Sequence, residues 1–250
     1  MNNVLTEKPI IKEKGFLLYF IEIRKIVIQL SILFLMIFLS LAPFSAKIYS
    51  FLALPLQLKL PPSAHMIATD VTSTFLSPFK LVFFITLILL MPFIFYKVYS
   101  FLNAALHKKE RWVLSLFFMS SVILFYLGIL VGYYFILPKV LSFFMGIAPD
   151  VVLPMTDINQ YLMFSIKLFV VLGIVFQLPL ITVLAVYFNL IDLNVLKQKR
   201  SFIFVFCFFI AMFITPPDML SMAIAGCFMY FLFELGLLIS FILFRNTETE

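Results

Sequence analysis

The sequence predicts an all-α polytopic membrane protein with six transmembrane helices, and three observations carry this prediction. Apolar residues make up 64% of the 250 residues and charged residues only 12%, against roughly 45–50% and 25% in ordinary soluble domains. The apolar residues gather into six long stretches, and a helix needs about 20 such residues to cross a bilayer. The basic residues concentrate in the connections on one side of these stretches. A soluble globule is thereby excluded.

In chain order the six predicted spans are residues 26–46, 81–102, 112–138, 160–188, 201–215 and 219–243. The first span follows a charged segment and is too long for a cleavable signal peptide, so we expect it to remain as a membrane anchor. The fifth is brief, since 15 residues rise only about 22 Å against a hydrocarbon core of about 30 Å. A thinned bilayer is expected beside it. Residues 1–250 form a single membrane domain in this prediction.

Local signals mark the ends and bends of the later spans. Asp157 and Gln160 have the spacing of a capping box at the start of the fourth span. Two prolines followed by Asp218 predict a sharp turn between the fifth and sixth spans, with Asp218 capping the sixth. Pro92 and Pro179 lie inside the second and fourth spans and are expected to kink those helices.

The distribution of Lys and Arg predicts the orientation of the spans. Thirteen of these residues lie in the N-terminal segment, the second and fourth connections and the tail, which all fall on one side. The other side has only four lysines, namely Lys47, Lys59, Lys80 and Lys139. Because basic residues are retained in the cytoplasm, both termini are predicted to be cytoplasmic. The apolar, aromatic stretch at 48–60 then predicts an interfacial cap on the exterior side.

The sequence carries none of the common motifs of hydrolases or nucleotide-binding proteins. The patterns HExxH, GxSxG, GxxxxGK[ST] and GxGxxG are absent. The cysteines, Cys207 and Cys227, lie in apolar stretches without CxxC spacing, so neither a zinc site nor a disulfide framework is expected. The net charge of +6 is accounted for by cytoplasmic connections. We therefore predict no enzyme activity, no cofactor, no metal ion and no nucleic-acid partner.

Several short segments resemble the TatC family, and they follow the family's order over nearly the whole chain. They are Phe20-Ile-Glu-Ile-Arg-Lys25, Met66-Ile-Ala-Thr-Asp-Val71, Phe101-Leu-Asn-Ala-Ala-Leu-His-Lys-Lys-Glu-Arg111, Phe125-Tyr-Leu-Gly128, Thr215-Pro-Pro-Asp218 and Phe233-Glu-Leu-Gly236. TatC proteins are the multispanning receptors of the twin-arginine translocase, which exports folded proteins. Three positions depart from the family pattern: Ala104 replaces a proline, Ile26 a basic residue, and Gln177 a glutamate that many members carry.

The resemblance implies a fold, a location and a set of partners. The fold is a cupped wall of six tilted helices rather than a closed channel, in the bacterial cytoplasmic (inner) membrane. The implied partners are the single-span subunits TatA and TatB, further copies of the chain, twin-arginine signal peptides and the lipid bilayer. Transport is implied to use the proton-motive force without hydrolysis.

The resemblance also places a signal-peptide site at the cytoplasmic face. The family's signal-recognising glutamate falls on Glu110, and Glu22 is the second acidic residue that the family places nearby. Without the resemblance, Glu110 would be interpreted as a surface carboxylate whose charge is balanced by neighbouring basic residues. Arg24 anchors the first span and, by resemblance, orients Glu22 or contacts the peptide. Phe101 fits equally an interfacial aromatic and a ring that stacks on a guanidinium.

Four further polar residues are candidates for partner contacts or intramembrane roles. Asp218 is expected to cap the sixth span, and Glu234 to have a packed or functional role toward the cytoplasmic side. Lys167 lies about 15 Å into the fourth span by helical rise, where it snorkels to the exterior, enters a wet concavity or pairs with an acidic residue. Gln177 is predicted to line the concave face as an uncharged contact for partner helices or the signal peptide.

Two other classes of function compete with the translocase. A secondary transporter would use Lys167, Gln177 and Glu234 along a solute path, but no inverted repeat is visible. An intramembrane enzyme would need paired aspartates or a serine–histidine constellation inside the spans, and the sequence contains neither.

Overall fold

The computed structural model describes residues 10–57, 67, 71–105, 111–147, 157–214 and 219–244, and these residues are almost entirely helical. Within these residues ten α-helices follow one another: α1 Ile10–Leu41, α2 Ser45–Gln57, α3 Val71–Ala105, α4 Arg111–Val131, α5 Leu137–Ile147, α6 Ile158–Val175, α7 Leu178–Tyr187, α8 Leu193–Gln198, α9 Arg200–Ile214 and α10 Met219–Phe244. A 3₁₀ turn at Ala42–Phe44 joins α1 to α2, and a π turn at Gly132–Ile136 joins α4 to α5. The predicted all-α membrane fold class is confirmed.

The helices combine into units that match the predicted spans in number and order. In the part of the chain that the structure describes, five units are long and apolar enough to cross a membrane: 21–57, 75–101, 113–143, 158–187 and 222–243. The predicted fifth span is the shorter helix α9, which has 15 residues. The sequence places this helix well, because its apolar run is bounded by a basic connection on one side and two prolines on the other.

The core lies around α6, which packs against α2, α3 and α4. Gly128 of α4 makes the close contact possible, since a Cβ atom there would lie only 2.7 Å from the carbonyl oxygen of Leu172. Small residues allow helix backbones to approach in this way in membranes. Phe125, one turn earlier on α4, is fully buried. The two helices therefore form the rigid centre of the wall.

The fourth predicted span breaks in its middle, where α6 ends and α7 begins. Pro179 has no N–H group to continue the α-helical ladder, and the chain turns at Phe176 and Gln177 just before it. The Gln177 N–H donates instead to the carbonyl oxygen of Ile174 at 2.9 Å. This agrees with the bend predicted for Pro179, whereas α3 runs through Pro92 without interruption.

Helix α2 covers the start of α6 on the face opposite the basic connections. The Tyr161 hydroxyl donates to the carbonyl oxygen of Leu52 at 3.1 Å. The Ile158 N–H donates to the carbonyl oxygen of Ile67 at 3.1 Å, which ties the connection between α2 and α3 to the same point. The Asp157 carboxylate accepts from the Asn159 N–H at 2.8 Å and caps α6. The predicted N-terminal cap of this helix is therefore present.

Helical rise and cross-helix contacts give a common depth scale. Depth is measured from Arg111, where α4 begins, and Ser121 then lies about 15 Å deep at 1.5 Å per residue. Ser121 is hydrogen-bonded to Gln177 at the start of α7. Helix α7 runs back over the ten residues to Tyr187, so it ends about 15 Å nearer the surface, at the level of Arg111.

Helix α10 returns to the same level. A Cβ atom at Gly236 would lie 2.8 Å from the Cα atom of Pro179, so the two residues share one depth, about 12 Å. Phe244, eight residues further on, ends α10 at roughly zero depth. The ends of α7 and α10 and the start of α4 thus define one plane, which we call the basic face. It is the side predicted to be cytoplasmic.

Candidate functional site

Three predicted signal-peptide residues lie near the basic face on neighbouring helices. Helix α1 packs against α3, and the Lys97 amino group of α3 donates to Gln29 Oε1 of α1 at 2.6 Å. Glu22 lies seven residues from Gln29 and Phe101 four residues from Lys97, in the same direction. By helical rise their levels differ by only about 5 Å. Glu22 and Arg24 are exposed and Phe101 is half-buried.

Two predicted residues lie outside the described part of the chain. Glu110 immediately precedes Arg111, the first residue of α4, and Asp218 immediately precedes Met219, the first residue of α10. Their predicted roles in signal-peptide binding and in capping stay predictions.

An apolar groove opens between α4, α7 and α10 in the half of the wall nearer the basic face. Its volume is about 490 Å³. Val113 and Phe117 of α4, Val183 of α7 and Ile239 of α10 are among its walls, and Tyr187 lines it at the end of α7. Sequence reasoning did not predict this groove, because it depends on the spacing of three helices. The groove begins within the first turn of α4.

Gln177 is buried and hydrogen-bonded inside the chain. The residue is only 7% exposed. The Ser121 hydroxyl donates to Gln177 Oε1 at 2.8 Å, and Gln177 Nε2 donates to the Ser121 carbonyl oxygen at 2.9 Å. The pair lies about 15 Å below the basic face, close to the middle of a 30 Å hydrocarbon core. Contact with a partner stays a prediction, and these amide atoms already have partners on α4.

Glu234 forms an ion pair that links α10 to the start of α9. Its Oε2 atom lies 3.1 Å from Arg200 Nη2, and its Oε1 atom accepts from the Tyr230 hydroxyl at 2.6 Å. Both carboxylate oxygens are therefore bound by donors. The sequence predicted that Glu234 would be packed or functional but did not predict Arg200 as its partner. A contact between residues 34 positions apart depends on how two helices pack.

Lys167 is exposed on α6. It lies ten residues before Gln177, which places it roughly 30 Å from the basic face by helical rise. This is the far boundary of a hydrocarbon core of about 30 Å rather than its middle. The geometry favours the snorkelling alternative, because α6 begins at Ile158, well outside that boundary.

Neither cysteine is in a disulfide, and Cys207 is buried whereas Cys227 is exposed. Within the described ranges, no group of three or more His, Cys, Asp or Glu residues is arranged to hold a metal ion.

These features define a polytopic helical membrane protein with a basic face of helix ends and one shortened span. Comparison with known proteins identifies the family. Residues 19–227 match the TatC family, described as Sec-independent protein translocase protein. TatC of Haemophilus influenzae is 35% identical over 240 residues, covering 96% of this chain and 91% of that protein. TatC of Escherichia coli K12 is 38% identical over 222 residues, covering 89% and 86%.

A solved structure agrees with the sequence relatives. A crystal structure of the twin-arginine translocase receptor TatC superimposes with a TM-score of 0.78 at 26% identity, covering 88% of this chain and 97% of that one. The chain belongs to the TatC family. It is a component of a Sec-independent protein translocase, and the family is a translocase family rather than an enzyme family.

Proposed function

We propose that this chain is the receptor of the twin-arginine translocase. It binds twin-arginine signal peptides at the cytoplasmic face of the bacterial inner membrane, with both termini cytoplasmic. Together with TatA and TatB it exports folded proteins by using the proton-motive force. The observation that carries the proposal is that Glu22 and Arg24 of α1 and Phe101 of α3 lie at similar levels on two packed helices near the basic face.

The chemistry of the ligand matches these residues. A guanidinium group forms two parallel hydrogen bonds to one carboxylate, so two arginines are best bound by two carboxylates. Glu22 supplies one of them and Glu110 the other. The Phe101 ring stacks on a guanidinium plane, and Arg24 orients Glu22 or contacts the peptide backbone.

The apolar groove supports the same proposal. A signal peptide has an apolar segment of roughly 7–15 residues after its charged region. The groove begins at Val113, within one turn of the start of α4 and three residues after Glu110. A peptide whose arginines are bound at Glu110 therefore has an apolar surface within reach of its next segment.

Crosslinking tests this proposal in membranes that contain the full chain. A twin-arginine signal peptide with a photoreactive residue next to its arginines should crosslink to the wild type, and Glu22→Gln and Glu110→Gln should each weaken binding about tenfold. A charged hydrogen bond is worth about 1.5–3 kcal/mol, which corresponds to that loss. Asp192→Asn is the matched control, because Asp192 is an exposed carboxylate at the α7–α8 connection, away from α1 and α3. If the double variant crosslinks as the wild type does, the proposed receptor site is wrong.

The partner subunits are tested separately. We propose that the contacts for TatA and TatB lie along the predicted fourth and sixth spans, where the candidate polar residues are Gln177, Glu234, Asp218 and Lys167. Site-specific crosslinks from these two helices to each subunit should appear in native membranes. If Gln177→Leu leaves these crosslinks undiminished, Gln177 is not part of this surface.

A further inference from the structure

Helix α9 begins deep inside the membrane rather than at the basic face. Glu234 lies two residues before Gly236 on α10, so its depth, and that of its partner Arg200, is about 15 Å. A second contact gives the same depth, because a Cβ atom at Gly226 would lie 2.9 Å from the Phe208 ring. Gly226 is about 27 Å deep, and Arg200 lies eight residues, or about 12 Å, closer to the basic face than Phe208.

Helix α9 therefore falls short of the basic face only, and its other end reaches the opposite side. Ile214 lies 14 residues beyond Arg200, at a depth of about 36 Å, which is level with the opposite side of the wall. The gap between Arg200 and the basic face is bridged by α8, which leads inward from the surface. Lys199 breaks the helix between α8 and α9.

Three cations are concentrated at this inward step, and we call Lys197, Lys199 and Arg200 the recessed basic notch. The Lys197 amino group lies 4.5 Å from the centre of the Phe241 ring, which fixes it against α10. Lys199 is exposed, and the Arg200 side chain is 47% exposed. Glu234 neutralises one of the three charges, so the notch keeps a net charge of about two.

Cations held below the helix ends need polar partners that come to them. The Lys197 side chain extends toward the basic face as far as Phe241, as lysines at helix ends do, whereas Arg200 is held about 15 Å below that face by Glu234. Anionic headgroups are attracted to clustered lysines and arginines next to membrane helices. We propose that the recessed basic notch binds the phosphate of an anionic phospholipid from the leaflet at the basic face. The notch runs from about 5 Å below the surrounding helix ends at the Lys197 amino group, level with Phe241, to about 15 Å at Arg200, and the headgroup is drawn into this range.

The proposal is independent of signal-peptide recognition, because it uses none of the residues assigned to that site. It also specifies where the bilayer thins. Thinning is confined to the leaflet at the basic face beside α8 and α9, while the opposite leaflet keeps its ordinary thickness.

Lipid binding to the full chain is the first test. Native mass spectrometry in detergent, with phosphatidylglycerol or phosphatidylcholine of identical acyl chains, should show tighter binding of phosphatidylglycerol. The double variant Lys197→Gln/Lys199→Gln should lose this preference, by roughly fivefold for each lysine. Lys47→Gln/Lys139→Gln is the charge-matched control, since both lysines are exposed on the opposite side. Any of three results overturns the proposal: the wild type binds both lipids equally, the notch variant keeps its preference, or excess inorganic phosphate displaces the lipid.

Depth measurement is the second test. A fluorescent label at Ser201→Cys, in a Cys227→Ser chain, is compared with the same label at Met119→Cys on α4. Both positions are exposed and lie about 12–16 Å below the basic face, but Met119 is not beside the notch. A quencher attached to the lipid headgroup should quench the label at residue 201 several-fold more strongly. Equal quenching at the two positions overturns the recessed headgroup, whatever the binding result.

Discussion

Gln177→Leu should destabilise the fold through the loss of two hydrogen bonds near the middle of the bilayer. The amide of Gln177 is buried, and both bonds run to Ser121, at 2.8 and 2.9 Å. Side-chain hydrogen bonds between membrane helices average about 0.6 kcal/mol and reach about 1.7 kcal/mol. Two of them at this depth give an expected loss of about 1–3 kcal/mol in the free energy of unfolding. Leucine leaves the Ser121 hydroxyl without its acceptor, which adds to the cost.

A double-mutant cycle with Ser121→Ala isolates one of the two bonds. Alanine removes the hydroxyl that donates to Gln177 Oε1 but keeps the backbone carbonyl that accepts from Nε2. The coupling energy should therefore be that of a single bond, about 0.6–1.7 kcal/mol. Unfolding in mixed micelles with increasing dodecyl sulfate measures all four free energies. Gln160→Leu, at an exposed position in the first turn of α6, where the cap bond is made by Asp157, should change stability little. Additive single variants, or an equal loss in Gln160→Leu, would refute the reasoning.

The remaining predictions use the same unfolding measurement. Gly236→Ala should cost about 1–3 kcal/mol, because the new Cβ atom would lie 2.8 Å from the backbone of Pro179 and must push α7 and α10 apart; unchanged stability would contradict that contact. Glu234→Gln should cost about 1–3 kcal/mol, because it leaves the Arg200 guanidinium without its counter-charge about 15 Å below the basic face, and a stabilised variant would count against the pair. Tyr161→Phe should cost about 0.5–1.5 kcal/mol through the lost bond to the α2 backbone, and a wild-type value would show that this bond contributes nothing.

The sequence predicts the helices well because their signals are local. Apolar runs, the Asp157 cap and the break before Pro179 each depend on residues within a few positions of one another, and all are present in the structure. The brevity of α9 follows from a charged connection and two prolines that bound it. Signals of this kind can be recognised without knowing which other helices pack nearby.

Contacts between helices could not be predicted from the sequence. Gln177 and Ser121 are 56 residues apart, and no local pattern indicates that they meet. The depth of Lys167 was ambiguous for the same reason, since it depends on how far α6 projects beyond the bilayer. A charge inside an apolar run does signal that the residue needs a partner, and Glu234 is paired with Arg200 in the structure.

The burial of the helices has a consequence for how the protein is made. None of residues 21–41 of α1 is buried, whereas half of the central window of α6 and α7 is. Synthesis proceeds at about 5–20 residues per second, so α1 stays in the lipid for on the order of 10 s before α6 is complete. Until α3 follows, α1 is stabilised by lipid and by its own hydrogen bonds. A nascent chain that stops before α6 has inserted helices and contacts among α1 to α4, but it lacks the core that forms around α6.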